Sequence, residues 1–166
     1  MNSPISDQLK QALRGTAETV HIIALRNNVD DFYAMTATAV TVVSLEPASF
    51  LVCINKSSDF YKQIAHAQHF SINTLKTQHQ ALSNACAGGA SHAEREILGA
   101  WTRNETAPLL EGSQASYLCE VSKCVDHGSH LIVIGNVQQV RTTDLGSPLL
   151  YLNGSYTEAK TPNITG

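Results

Sequence analysis

Apolar residues in this chain recur mostly in short alternating runs, with helical spacing confined to brief stretches, so a mainly β fold is expected. Residues 19–25 read as a strand, turned by Arg26-Asn27-Asn28. The run 35–45, MTATAVTVVSL, is rich in Thr, Val and Ala, and neither of its faces carries a charge. That pattern predicts one long strand covered on both sides. Glu46-Pro47 ends it and 50–55 returns as another strand, which predicts the middle of a sheet or barrel. Residues 70–75, FSINTL, alternate as a further strand. The clearest β signal comes later: Tyr117, Cys119, Val121 and Val125 alternate with Leu118, Glu120, Ser122 and Cys124. A short His127-Gly128-Ser129 turn then leads into 130–135 and on to Arg141. Residues 149–152 make a last short strand.

Helical periodicity appears between these runs. Residues 6–14 place Leu9, Ala12 and Leu13 on one face, and Ser58 caps a helix with Phe60, Tyr61, Ile64 and Ala65 on one side. Thr77-Gln78-His79-Gln80 and Ser91-His92-Ala93-Glu94 have the form of capping boxes, and Gly88-Gly89 stops the first of those helices. Residues 99–113 read as a long connection. About seven strands with two or three intervening helices lack the regular alternation of a doubly wound sheet. The expectation is a mainly β (α+β) closed or split barrel with short covering helices. It forms a single domain over 1–166, with a core of about 15–156. The polar residues beyond Tyr156 read as a tail, either loose or draped over a partner subunit.

Composition narrows the partners. Eleven Lys+Arg against 14 Asp+Glu give a formal charge of −3, which excludes a broad basic face for nucleic acid. No run approaches the roughly 18 apolar residues that span a bilayer, and MNSPISDQLKQALRG lacks the form of a secretory signal. A soluble, cytoplasmic protein is expected, with neither nucleic acid nor membrane as partner. Cysteines at 53, 86, 119 and 124 form no C-x-x-C pair, and Cys119 and Cys124 are spaced to face opposite ways on one strand. Buried reduced thiols are expected. His66 and His69 come closest to a ligand pair, but one ends a helix and the other begins the next segment, so no metal is expected.

Candidate chemistry begins with what is missing. The sequence has no G-x-G-x-x-G, GxxxxGK[ST], G-x-S-x-G or H-E-x-x-H motif. A bound nucleotide would therefore not lie in a Rossmann crevice. The segment from Cys53, Ile54 and Asn55 through Lys56 and Ser58 to Asp59 and Phe60 leaves a strand and enters a helix. It offers backbone N–H groups, hydroxyls and a lysine suited to a phosphate, or else simply a surface lysine and a capping serine. Met35-Thr36-Ala37-Thr38-Ala39 would let a flat ring approach the chain closely, or would form an ordinary interior strand. His130, past a glycine-containing turn, would reach over a cofactor or lie solvated. Trp101 reads as packing or an interface residue rather than a cofactor contact.

Six fragments in order, MTATAVTVVSLEP, LVCINKSS, FSINTL, APLLEGSQASYLCEV, HGSHLIVIGNV and PLLYLNGSY, resemble the flavin reductase family with the FMN-binding split-barrel fold. Its members are the small reductase components of two-component flavin-dependent monooxygenases, and the likeness covers roughly residues 15 to 156. The resemblance implies a homodimer that binds FMN or FAD. It also implies hydride transfer to that flavin from NADH or NADPH, and release of reduced flavin to an oxygenase. Carried over by position, Phe32, Tyr33, Ala34, Met35, Thr36, Thr38 and Ala39 would contact the isoalloxazine and ribityl chain. Cys53, Ile54, Asn55, Lys56, Ser58, Asp59 and Phe60 would hold the ribityl–phosphate end. His130 matches the histidine of the family's G-D-H turn near nicotinamide and flavin. Asn153, Gly154 and Tyr156 match the R-G-x-Y stretch that helps to hold the pyridine nucleotide.

Departures from the family pattern are specific. Ala34 stands where glycine is usual, and G-D-H reads Gly128-Ser129-His130. A common Arg-Phe pair is Ala85-Cys86, and the R-G-x-Y arginine is Asn153. Each lost arginine removes a charge-assisted bond to phosphate of roughly 1.5–3 kcal/mol. Three readings follow: a reductase, a flavin carrier or sensor on the same barrel, and a barrel for another apolar ligand such as haem or a lipid.

Overall fold

The computed structural model describes residues 4–28, 31–103, 106–144 and 146–159, and its elements follow the chain in this order. They are α1 (Pro4–Leu13), β1 (Glu18–Thr19), β2 (His21–Arg26), β3 (Phe32–Ala37), β4 (Val40–Leu45), β5 (Ala48–Asn55) and α2 (Asp59–Ile64). Next come β6 (His69–Thr74), α3 (Gln80–Asn84), α4 (His92–Leu98), β7 (Ala115–His127), β8 (His130–Thr142), β9 (Leu149–Leu152) and β10 (Ser155–Glu158). A 3₁₀ turn over Thr77–His79 leads into α3, and a π-type turn over Ala85–Gly89 leaves it.

Seven strands form one antiparallel sheet in the order β3-β2-β6-β7-β8-β5-β4, and β1-β9-β10 form a second, smaller one. β3 and β4 are consecutive in the chain yet lie at opposite edges of the large sheet. The ladder therefore curls round without closing, as a split barrel. At the split, the Cys53 amide donates to the Ala39 carbonyl at 3.0 Å, tying the β3–β4 turn to β5.

Both faces of β2 are buried, and its alternation separates two cores. Ile23 and Leu25 join Val52, Ile54, Phe60, Phe70, Ile72 and Val133 inside the barrel. Ile22 and Ala24 face outward onto Val20, Phe32, Ala34, Leu75, Leu82 and Leu149. Each fully buried Leu, Ile or Phe contributes about 1.5–3 kcal/mol of burial free energy. β8 crosses the Phe70 ring so closely that a Cβ on Gly135 would lie 2.6 Å from it, so only glycine fits there. On β6 the polar side chains are buried too. Asn73 donates to the Ile22 carbonyl at 3.1 Å and accepts from the Leu110 amide and the Ser116 hydroxyl, each at 2.8 Å. A fully partnered amide of this kind fixes the register of β2, β6 and β7 against the 106–113 segment.

Several sequence expectations change. The run 35–45 is two strands, because the Val40 amide bonds back to the Thr38 carbonyl at 2.8 Å and turns the chain. β4 is an edge strand with Val42, Val43 and Leu45 exposed, so absence of charge there did not mean cover. The box read at Thr77-Gln78-His79-Gln80 forms one residue earlier: the Lys76 amide donates to His79 Nδ1 at 3.1 Å, since the first turn is 3₁₀. The Ser91–Glu94 box forms as read, with bonds of 2.7 and 3.3 Å. Cys86 and Cys119 are buried and Cys53 is half-buried, but Cys124 is exposed near the hairpin tip. β10 extends order to Glu158, and residues 160–166 of the expected tail lie outside the described residues. Among the described residues no helix is long and apolar enough to cross a membrane.

His21, at the start of β2, is buried beside Thr74 Oγ1 at 3.2 Å, and burial lowers its pKa from 6.5 to about 4. Below pH 6.5 the unfolded chain takes up a proton there that the folded chain refuses until about pH 4. This contribution to stability is complete above pH 6.5 and falls as pH drops through that window. The loss amounts to about 3 kcal/mol at the acid end. Urea denaturation near pH 7.5 and near pH 4.5 should show His21→Gln losing less stability between the two than the wild type does.

Candidate functional site

The hairpin of β9 and β10 turns on Asn153 and Gly154, with φ of +53° and +80°. Two consecutive residues in the left-handed region are what a type I′ turn requires, and Asn-Gly is the pair that adopts it most readily. The hairpin leans over the end of β3. Between them lies a groove of about 640 Å³ lined by Thr36, Thr38, Gln80, Asn84, Gly154 and Tyr156, among others. A second groove of about 830 Å³ shares Thr38, Tyr151 and Gly154 with the first and continues past Ala39 and Asn153 to Lys10 and Arg14 on α1 and its end. Together they form one cleft along the open edge of the barrel.

The wall of the first groove is cross-linked by neutral hydrogen bonds. Thr36 Oγ1 donates to the Ser83 carbonyl at 2.6 Å, and Ser83 Oγ shares a bond of 2.8 Å with Tyr156 Oη. Tyr156 also meets Tyr151 edge-on, with ring centroids 5.4 Å apart. This chain joins β3, α3 and β10, so the residues read as flavin contacts and those read as nicotinamide contacts share one rigid wall. Hydroxyls and amides facing a cleft of this size suit a flat heterocycle with a polyhydroxyl tail. A Cβ on Gly154 would lie 3.3 Å from the Arg14 guanidinium.

β3 is held from behind by a residue that the sequence did not single out. Arg95, in the second turn of α4, donates through Nη1 to the Ala34 carbonyl at 2.7 Å and through Nε to the Ala85 carbonyl at 3.1 Å. A guanidinium thus lies beside Ala85, where the Arg-Phe pair is missing. Trp101 packs on Phe32 at 5.0 Å and donates to the Arg95 carbonyl at 3.2 Å. His92 stands edge-on to Tyr33 at 4.8 Å. Its pKa is lowered by burial first and by Arg95 second, with Asp59 acting the other way. Burial pushes the Cys86 thiol up to about 12 against the opposing pull of Arg95, which leaves it inert.

A separate group gathers where β5 ends. Asn55 pairs with His130 across the β5–β8 ladder, and the Lys56 amide donates to the Ser129 carbonyl at 2.9 Å. His130 is half-buried, with Nδ1 2.9 Å from Ser129 Oγ. Lys56 Nζ is held by Asp126 at 2.6 Å. The Ser58 hydroxyl donates to the Asn55 carbonyl and accepts from the Tyr61 amide, while Asn55 Oδ1 accepts from the Ser57 amide and hydroxyl. The loop is therefore already ordered by its own bonds.

Apart from Cys53, half-buried on β5, and Asp59, which begins α2, the expected site residues fall into three sets. Thr36, Thr38, Ala39, Asn153, Gly154 and Tyr156 line the cleft. Asn55, Lys56 and Ser58 gather with His130 at the end of β5, line neither groove, and join the cleft through the Cys53–Ala39 bond. Phe32, Ala34, Ile54 and Phe60 have buried side chains that build the two cores, and Tyr33 and Met35 pack on the inner one. Sequence reading missed Ser83, Gln80, Asn84, Arg14 and Arg95. It also passed over the Asn153-Gly154 dipeptide, a hairpin signal in its own right.

Architecture and cleft together define a split barrel with a cofactor-sized groove at its open edge. This chain belongs to the flavin reductase like domain family, whose description matches residues 13–160. It is 31% identical over 163 residues to the reductase component of the FADH(2)-dependent resorcinol hydroxylase of Rhizobium sp. (strain MTP-10005), covering 97% of this chain and 91% of that one. It is 36% identical over 121 residues to the FMN reductase (NADH) RutF of Agrobacterium fabrum, covering 72% and 70%. The solved NADH:FAD oxidoreductase SgcE6 of Streptomyces globisporus shares the fold, with a TM-score of 0.87 at 20% identity over 99% of this chain and 98% of that one.

Arg95→Met removes two charge-assisted bonds to carbonyls behind β3. It should lower stability in urea by about 2–3 kcal/mol and sharpen proteolysis in the 85–100 segment, whereas Arg103→Met, an exposed change, should do neither.

Proposed function

We propose that this chain is an NAD(P)H-dependent flavin reductase. It passes hydride from a nicotinamide nucleotide to FMN or FAD and supplies the reduced flavin to a partner monooxygenase. The observation that carries this reading is the convergence of Thr36 and Thr38 with Gly154 and Tyr156 on one cleft, tied by the Thr36–Ser83–Tyr156 bonds. Membership of the family and the reductase names of its relatives support it.

A bound flavin supplies the redox chemistry by accepting two electrons as hydride, so no side chain need take a proton in that step. The work of the protein is positioning. The end of β3 offers small side chains, hydroxyls and strand-edge backbone groups to a ring and its ribityl chain. The Asn55–Phe60 loop, with Lys56, takes the phosphate end, its fold fixed in advance by the Asn55 and Ser58 bonds. His130, braced by Ser129, stands as a positioner of the nicotinamide and an electrostatic tuner. Gly154 and Tyr156 hold the pyridine nucleotide from the hairpin side of the same cross-linked wall, and preorganisation of that wall lowers the entropic cost of bringing two rings together.

A homodimer belongs to the same proposal. β4 is an unpaired edge with Val42, Val43 and Leu45 exposed by 52%, 48% and 81%, an apolar edge that soluble proteins ordinarily cover. Light scattering should return twice the mass of one chain, and Val43→Asp with Leu45→Asp should return the single mass. A monomeric wild type removes the dimer from the proposal.

The deciding assay follows NADH and NADPH consumption with added FMN and FAD. Turnover with at least one pair is the expected result. Flavin binding without any turnover would instead favour a carrier on the same barrel. In stopped flow, His130→Ala should slow flavin bleaching or raise the nicotinamide KM by about ten-fold while flavin affinity holds. An unchanged bleaching rate removes that role.

A further inference from the structure

Resting on the reductase reading, we infer that Arg14, with Lys10 one turn before it, binds the phosphate-bearing half of the nicotinamide nucleotide. Arg14 takes the place of the arginine that is absent at position 153. The two residues lie on the same side of α1 and its end, since the Arg14 amide bonds to the Lys10 carbonyl at 3.2 Å. Both line the 830 Å³ groove, which opens into the smaller groove through Thr38, Tyr151 and Gly154. A dinucleotide with its nicotinamide against the Thr36–Ser83–Tyr156 wall has its anionic half directed along this groove.

Three observations single out Arg14. The Asn153 amide donates to the Arg14 carbonyl at 2.8 Å, so the end of α1 is fixed against the hairpin turn. Its guanidinium lies over Gly154: a Cβ built there would sit 3.3 Å from Nη2. Among the described residues the ion pairs are Lys10–Asp7, Arg26–Glu96 and Lys56–Asp126, and Arg14 enters none of them. Lys10 meets Asp7 at 4.0 Å on an exposed surface, a contact worth little. Glu18 lines the same groove and Asp7 lies 4.0 Å from Lys10, which leaves Arg14 as the groove's cation outside every ion pair among the described residues.

The relocation has a backbone reason. Position 153 sits in the left-handed region, which asparagine tolerates and most other residues enter only at a cost of about 1 kcal/mol. With Asn-Gly forming the turn, position 153 is spent on backbone geometry. The neighbouring chain end then brings a guanidinium to the same mouth, where its fork suits phosphate oxygens.

The test uses the full chain as wild type, Arg14→Met and Arg14→Lys, with two hydride donors: NADH and the phosphate-free 1-benzyl-1,4-dihydronicotinamide. Arg14→Met should raise the KM for NADH about ten-fold with little change in kcat, as loss of a charge-assisted phosphate contact at a wet site predicts. The salt dependence of that KM should flatten, and Arg14→Lys should recover part of both. Rates with the phosphate-free donor, and FMN affinity, should stay at wild-type values. Equal losses with both donors, a weaker FMN complex, or an NADH KM equal to that of wild type would each overturn the assignment. A wild type that binds FMN yet oxidises neither NADH nor NADPH refutes the reductase reading and this inference with it. That outcome is distinct from one in which wild type and Arg14→Met turn over alike.

Discussion

The failure of the large sheet to close is the constraint on which the site depends. β3 and β4 leave each other at the Thr38–Ala39 turn and end on opposite edges, so the outer groups of β3 are not consumed by a ladder. A closed barrel would have paired those edges and filled the space with strand. Here the edge is held by Arg95, which donates to the Ala34 carbonyl, and by the strand's own Thr36, which donates to the Ser83 carbonyl. The same open edge leaves room for the β9–β10 hairpin to lean over it and for a cleft to form between them. The split is therefore both an edge that must be covered and the reason a ligand has somewhere to lie.

The polar machinery divides by charge. Around the first groove the cross-links are hydroxyls and carbonyls, without a fixed charge beside a ring. Cations stand further out, Arg95 behind β3 and Arg14 with Lys10 at the end of the cleft. Arg95 lies beside Ala85 and Arg14 beside Gly154. A guanidinium on a long stem can reach one spot from several backbone positions.

Much of the architecture was legible in the sequence. The 115–142 hairpin, the strands at 21–26 and 69–74, the Ser58 cap and the Ser91–Glu94 box all depend on bonds between residues close in sequence, or on a period-two pattern facing a core. The run 35–45 misled for a physical reason. Valine and threonine favour extended backbone whether or not anything covers them, so composition reported the strand and not its burial. β10 was missed because its four residues are polar, although Asn153-Gly154 announced its turn.

The order of chemistry-bearing residues, the strand-rich pattern and the likeness to flavin reductases were determined by the sequence alone, because each is local or cumulative along the chain. Tertiary structure alone decided which strands became edges, that Lys56 is engaged by Asp126, that Arg95 reaches the Ala34 carbonyl, and that Arg14 lies over Gly154. The Arg95–Ala34, Lys56–Asp126 and Arg14–Gly154 approaches join residues 61 to 140 positions apart. Such contacts exist only once the sheet has curled, and no periodicity in the chain encodes them.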